Sequence, residues 1–170
     1  DHTTKRAYAP TMPDVASTHG LHGTGWLIPW TEWKAGDVGV RTEVCQVMRT
    51  WREQELQVVG ARVHLTNAAR EPRKLRLNVL ITPKGAAGAP VHQLEINGDT
   101  MFVNHQPALI SNEKPTGGQL PAPDLAERLR PAKQLGRHES IRTKGGACTG
   151  VMSFDVSLAA GERKTFGFVH

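Results

Sequence analysis

Four stretches of this chain alternate apolar and polar residues with a period of two, and this alternation restricts the possible folds more than any other feature. In VVGARVHLTN (58–67), Val59, Ala61, Val63 and Leu65 fall on one side, and Gly60, Arg62, His64 and Thr66 on the other. Successive side chains of an extended strand point to opposite faces, so the pattern predicts a strand with one face buried and the other solvated. KLRLNVLITP (74–83) repeats it with Leu75, Leu77, Val79 and Ile81 inward, and the intervening NAAREPR predicts a turn closing an antiparallel hairpin. DVGVRTEVCQVMR (37–49) alternates through Val38, Val40 and Val44, then slips in phase between Cys45 and Val47, as a β-bulge would cause. GVMSFDVSL (150–158) alternates through Met152, Phe154, Val156 and Leu158, and after the turn AAGE the run RKTFGFVH supplies a final strand.

VHQLEINGDTMFVN (91–104) adds two further strand-like runs around Asn97-Gly98, a pair that tolerates the positive φ angles of a two-residue hairpin turn. One segment departs from the pattern. Residues 114–147 are rich in Pro, Gly and charge and have no strand period; within them Asp124 to Glu127 reads as a capping box opening a short helix that Pro131 stops. The fold expected is all-β, a two-sheet antiparallel β-sandwich with one long irregular loop carrying a short helix. Residues 1–23 read as an N-terminal extension and 24–170 as the sandwich domain, with 114–147 as its long loop.

At 170 residues the chain suffices for a hydrophobic core without a metal or disulfide to staple it. No run approaches the ~18 consecutive apolar residues of a membrane helix. The start, DHTTKRAYAPTMPD, is polar, so any export signal is expected to have been removed already; the sequence does not choose between cytoplasm and export. The net charge of +5 raises the question of nucleic acid. Its basic residues are dispersed among acids and prolines rather than gathered on one face, which argues for solubility and against a polyanion partner. Cys45 and Cys148 lack CxxC spacing and read as buried thiols or as one long-range bridge.

Motifs for chemistry are sparse. His19 and His22 lie three apart, but zinc needs a third and fourth converging ligand that the sequence does not identify, so no metal and no cofactor is expected. There is no GxSxG elbow and no phosphate-cradling glycine loop. The densest feature is GWLIPWTEWKAGD (25–37), with Trp26, Trp30 and Trp33 close to Glu32 and Asp37. Extended backbone places Trp26, Ile28 and Trp30 on one face, which suits a buried wall; Pro29 interrupts the ladder and suggests an edge strand or a bend, beyond which Trp33 is the ring expected to be exposed. A stack of rings for a sugar is the alternative, because tryptophan offers a rigid face with a polar edge. Glu32 and Asp37 are also a candidate acid–base pair for glycoside chemistry, provided that they face each other across a cleft.

GWLIPWTEWKAGDVGVRTEV, then VVGARVHLTNAAREPRKLRLNVLITPKGAAGAPV, then FDVSLAAGERKTFGFVH resemble, in order, the β-sandwich domain that precedes the catalytic barrel in bacterial six-hairpin glycosidases related to glycogen-debranching and glucosidase-type enzymes. The resemblance covers residues 24–113 and 146–170. It implies a non-catalytic accessory domain of a glycoside hydrolase, packed on an α/α barrel that carries the acid and base, so no catalytic residue is assigned here. It further implies that the tryptophan stretch and residues 114–147 face the partner barrel or an oligo- or polysaccharide. A stand-alone carbohydrate-binding module using Trp26, Trp30 and Trp33 is the rival expectation, and a glycosidase using Glu32 and Asp37 the third.

Overall fold

The computed structural model describes residues 1, 6–23, 27–81, 90–120 and 138–170. Among these residues twelve strands run in chain order: β1 Ser17–Leu21, β2 Pro29–Ala35, β3 Val38–Trp51, β4 Gln54–Asn67, β5 Arg73–Ile81, β6 Gln93–Asn97, β7 Thr100–Val103, β8 Gln106–Ser111, β9 Gly117–Gln119, β10 His138–Arg142, β11 Gly150–Leu158 and β12 Arg163–Val169. They form two antiparallel sheets, of nine and three strands, and no helix occurs among the described residues. The expected helix at Asp124 to Glu127 lies outside those residues. The described ends of 114–147 carry β9 and β10, and β1 falls within the stretch read from sequence as an extension.

The chain divides into two compact units, one of residues Asp1–Leu75 with Ser157–His170, the other of Arg76–Val156. In the first unit β1, β2, β3, β4 and β12 lie side by side. Alternation sorts their side chains as the sequence predicts: Val38, Val40, Leu65, Phe166 and Phe168 are buried on one face. A Leu or Phe side chain so buried contributes about 1.5–3 kcal/mol. Asn67, fully buried at the end of β4, closes this unit. Its amide nitrogen donates to the carbonyls of Glu71 at 2.8 Å and Ala159 at 2.9 Å, and its amide oxygen accepts from the Ala69 N–H at 3.0 Å.

That corner also explains a departure from expectation. The runs 58–67 and 74–83 are not a hairpin, because β4 pairs with β3 and β12 while β5 belongs to the three-stranded sheet. Asn67 satisfies the backbone of residues 69–71 with its side chain, so the chain leaves the first sheet there instead of folding back on β4. The phase slip near Cys45 is not a bulge either: β3 and β4 pair without interruption from Val38↔Asn67 to Trp51↔Gln54. The apolar pattern changes because residues 45–50 and 52–57 are exposed, so burial no longer selects one phase.

In the second unit the two sheets face each other. A Cβ added at Gly118 of β9 would come within 2.6 Å of the Ile96 side chain on β6, and one at Gly150 of β11 within 3.1 Å of Leu94. Between these layers Leu94, Ile96, Met101, Met152, Phe154 and Val156 are buried, the sandwich core that the sequence pattern predicts. The β6–β7 turn sits one residue later than expected, at Gly98-Asp99, with Asn97 paired to Thr100. Gly98 has φ +63°, a positive value that glycine at the first turn position supplies without steric cost. Two hairpins make comparable turns without glycine, at Arg52-Glu53 (φ +48° and +64°) and Asn104-His105 (φ +48° and +68°).

Candidate functional site

The solvated face of the first unit carries a set of interlocked polar side chains. Residues directly opposite each other in an antiparallel pair share a face, and the registers define two adjacent cross-strand rows. One runs Gly20, Trp30, Glu43, Arg62, Gly167; the next runs Thr18, Glu32, Arg41, His64, Thr165. His22, just beyond β1, is fastened beside them by its backbone N–H, which donates to the Ile28 carbonyl at 3.1 Å.

Glu43 is the hub. Its Oε1 accepts from Arg41 Nε at 3.0 Å and lies 3.0 Å from His22 Nε2, while its Oε2 lies 3.4 Å from His64 Nε2. His64 is held from behind by Thr165 Oγ1, 2.8 Å from its Nδ1. Burial of Glu43 opposes its charge, but the hydrogen bonds from His22, His64 and Arg41 outweigh that effect and lower its pKa to about 2. The carboxylate is therefore ionised throughout the neutral range, so it acts as a fixed negative charge and acceptor rather than a proton donor.

Arg41 joins this hub to the aromatic residue. Its guanidinium lies over the Trp30 ring, 4.7 Å from the centroid, within cation–π range. Its Nη1 stands 3.6 Å from Glu32 Oε2. Beneath the indole Gly20 is required, because a Cβ there would fall 2.8 Å from the ring. Glu32 and His22 are the more exposed members, Glu43 and His64 the least. The patch thus presents a carboxylate, an arginine with further N–H groups and an indole edge, all planar and oriented by their neighbours, a combination suited to hydrogen-bonding adjacent hydroxyls.

The residues singled out from sequence separate. Trp30 and Glu32 join the patch. Trp33, expected to be the exposed ring, is half-buried: it pairs with Val40 and shares its face of β2 with Thr31 and Ala35, opposite the face of Trp30. The β-strand phase decides this, since β2 continues straight through Thr31 and Glu32 without the bend inferred from Pro29. Asp37 lies in the Gly36-Asp37 turn and is paired with Arg73 at 2.6 Å, so the two candidate carboxylates are held by different arginines. Trp26 lies outside the described residues.

His19 pairs with Thr31 on the face away from His22, so those two imidazoles do not converge. Among the described residues, no group of three or more His, Cys, Asp or Glu is arranged to hold a metal ion. Cys45 is exposed and Cys148 buried, and both are free thiols. Arg41, Glu43, His64 and Thr165 were not singled out from sequence; the available signal was the polar phase of RTE (41–43) set against that of RVH (62–64). No protein-family model and no curated protein matches the chain.

Proposed function

We propose that this chain is a non-catalytic β-sandwich accessory domain of a carbohydrate-active enzyme, a module that packs beside the catalytic α/α barrel of a six-hairpin-type glycoside hydrolase and contacts glycan. The observation that carries the reading is the Trp30–Arg41–Glu32 arrangement, in which planar hydrogen-bonding groups are fixed around an indole on the solvated face of a sheet. The resemblance of residues 24–113 and 146–170 to sandwiches that precede such barrels supports the same reading, as does the all-β fold. The pairing of Glu32 with Arg41 and of Asp37 with Arg73 favours it over a glycosidase built on those two acids. The rival within the class is a free-standing carbohydrate-binding module, which would use the same patch.

Titration of the chain with a panel of soluble oligo- and polysaccharides, followed by tryptophan fluorescence, tests the reading. It calls for a saturable change with one glycan class that Trp30→Ala and Arg41→Ala both remove, together with background rates on aryl glycosides. Fluorescence unresponsive to every glycan would reject the contact, and hydrolysis abolished by Glu32→Gln would reject the non-catalytic assignment.

A further inference from the structure

Beyond the polar patch, β3, which with β4 is one of the two longest strands, has an edge with no partner among the described residues. β2 pairs with β3 only as far as Trp30↔Glu43, because Pro29 starts β2 and has no N–H to extend the ladder. β3 continues for eight more residues, from Val44 to Trp51, hydrogen-bonded on its other side to β4. Val47 and Met48 in that stretch are 40% and 57% exposed. Sheet edges are normally blunted by Lys, Pro, a bulge or a covering loop. Residues 45–51, CQVMRTW, contain neither Lys nor Pro, and the β3–β4 register across them is unbroken.

We infer that this edge pairs with the same edge of a second copy, antiparallel about a two-fold axis at Met48. Charge selects the occupant and the register. The segment 45–51 carries a single charge, Arg49, which offers little to an acidic peptide even though the whole chain is at +5. Centring on Met48 sets Arg49 opposite Val47 of the copy and Gln46 opposite Thr50. Centring on Arg49 would set two guanidinium groups face to face, a destabilising cross-strand pair. The contact is isologous and closes on itself, so it yields a dimer and not a fibre. A strand of about seven residues buries well under the ~800 Å² per partner of a stable interface, so the dimer is weak and depends on concentration.

Sedimentation equilibrium of the full chain over a wide concentration range, with a cross-linking variant, tests this. The wild type shifts from monomer to dimer as concentration rises, and Met48→Lys, which places two ammonium groups opposite each other, stays monomeric with an unchanged circular dichroism spectrum. Met48→Cys in a Cys45→Ser background forms an intermolecular disulfide under mild oxidation, because opposed residues bring their Cβ atoms within bonding reach. A wild type that stays monomeric at every concentration overturns the inference. So does a dimer that survives Met48→Lys.

Discussion

Arg41 lies over the Trp30 indole, 4.7 Å from its centroid, while its Nε donates to Glu43 at 3.0 Å, so one guanidinium fastens the aromatic residue to the carboxylate directly opposite it on β3. An aromatic ring on a solvated sheet face would otherwise be free to change rotamer. Here it is held between Gly20 and Arg41, and the whole patch becomes sensitive to the charge on Glu43.

That charge sets an acid limit. The Glu43 pKa is lowered from 4.5 to about 2, so its contribution is fully present above pH ~4.5 and is lost as pH falls through about 2. Glu43→Gln should lower stability by ~1–3 kcal/mol at neutral pH, while losing less than the wild type does between pH 4.5 and 2. Urea unfolding at several pH values measures both; parallel acid profiles would contradict the role given to Glu43.

Asn67 joins β4 to the β11–β12 turn through a buried amide. Asn67→Ala leaves the carbonyls of Glu71 and Ala159 and the Ala69 N–H without that partner, and should cost about 2–4 kcal/mol. A change below ~0.5 kcal/mol in chemical denaturation would be the value of an ordinary surface site and would contradict this.

The two glycines of the second unit's sandwich predict an ordering. At Gly118 a Cβ meets the Val151 backbone oxygen at 2.9 Å, which cannot swing away, whereas at Gly150 its closest contacts are the ends of the Leu120 and Leu94 side chains. Gly118→Ala should therefore destabilise more than Gly150→Ala, within an overpacking range of about 1–3 kcal/mol. Thermal melts of the two variants decide it; the reverse order would mean that the sheets separate more readily than their contacts imply.

The β3–β4 turn leaves room for gain. Glu53 has φ +64°, a conformation that favours glycine, so Glu53→Gly should raise stability by about 0.5–1 kcal/mol. A lower melting temperature for Glu53→Gly would show instead that the glutamate side chain contributes to the turn.

The strand phases were legible because one buried face leaves a period of two: Val38 and Val40, and Met152, Phe154, Val156 and Leu158, are buried where the alternation put them. Neighbours were not legible. The same alternation in 58–67 and 74–83 says which side is inward but not that Asn67 sends the chain into a different sheet. His64 shows a second limit. Its polar phase was correct, yet it is 9% exposed because Glu43 and Thr165, residues 21 and 101 positions away, close over it. Trp30 and Trp33 are both half-buried, on opposite faces of β2, because the strand runs on from Pro29 to Ala35 in one unbroken register with β3.

The first unit is interrupted in sequence, since residues Arg76–Val156 intervene between its two parts. A ribosome adding roughly 5–20 residues per second needs several seconds to make that insert. Throughout that interval β4 has been synthesised, but β12, which supplies its other hydrogen-bonded neighbour, has not. The nascent chain therefore carries β4 with an open edge beside Val63 and Leu65 until β12 is synthesised. A polypeptide terminated before Arg163 never acquires that strand, which makes C-terminal truncation more harmful to this unit than a cut of the same length at its N-terminus.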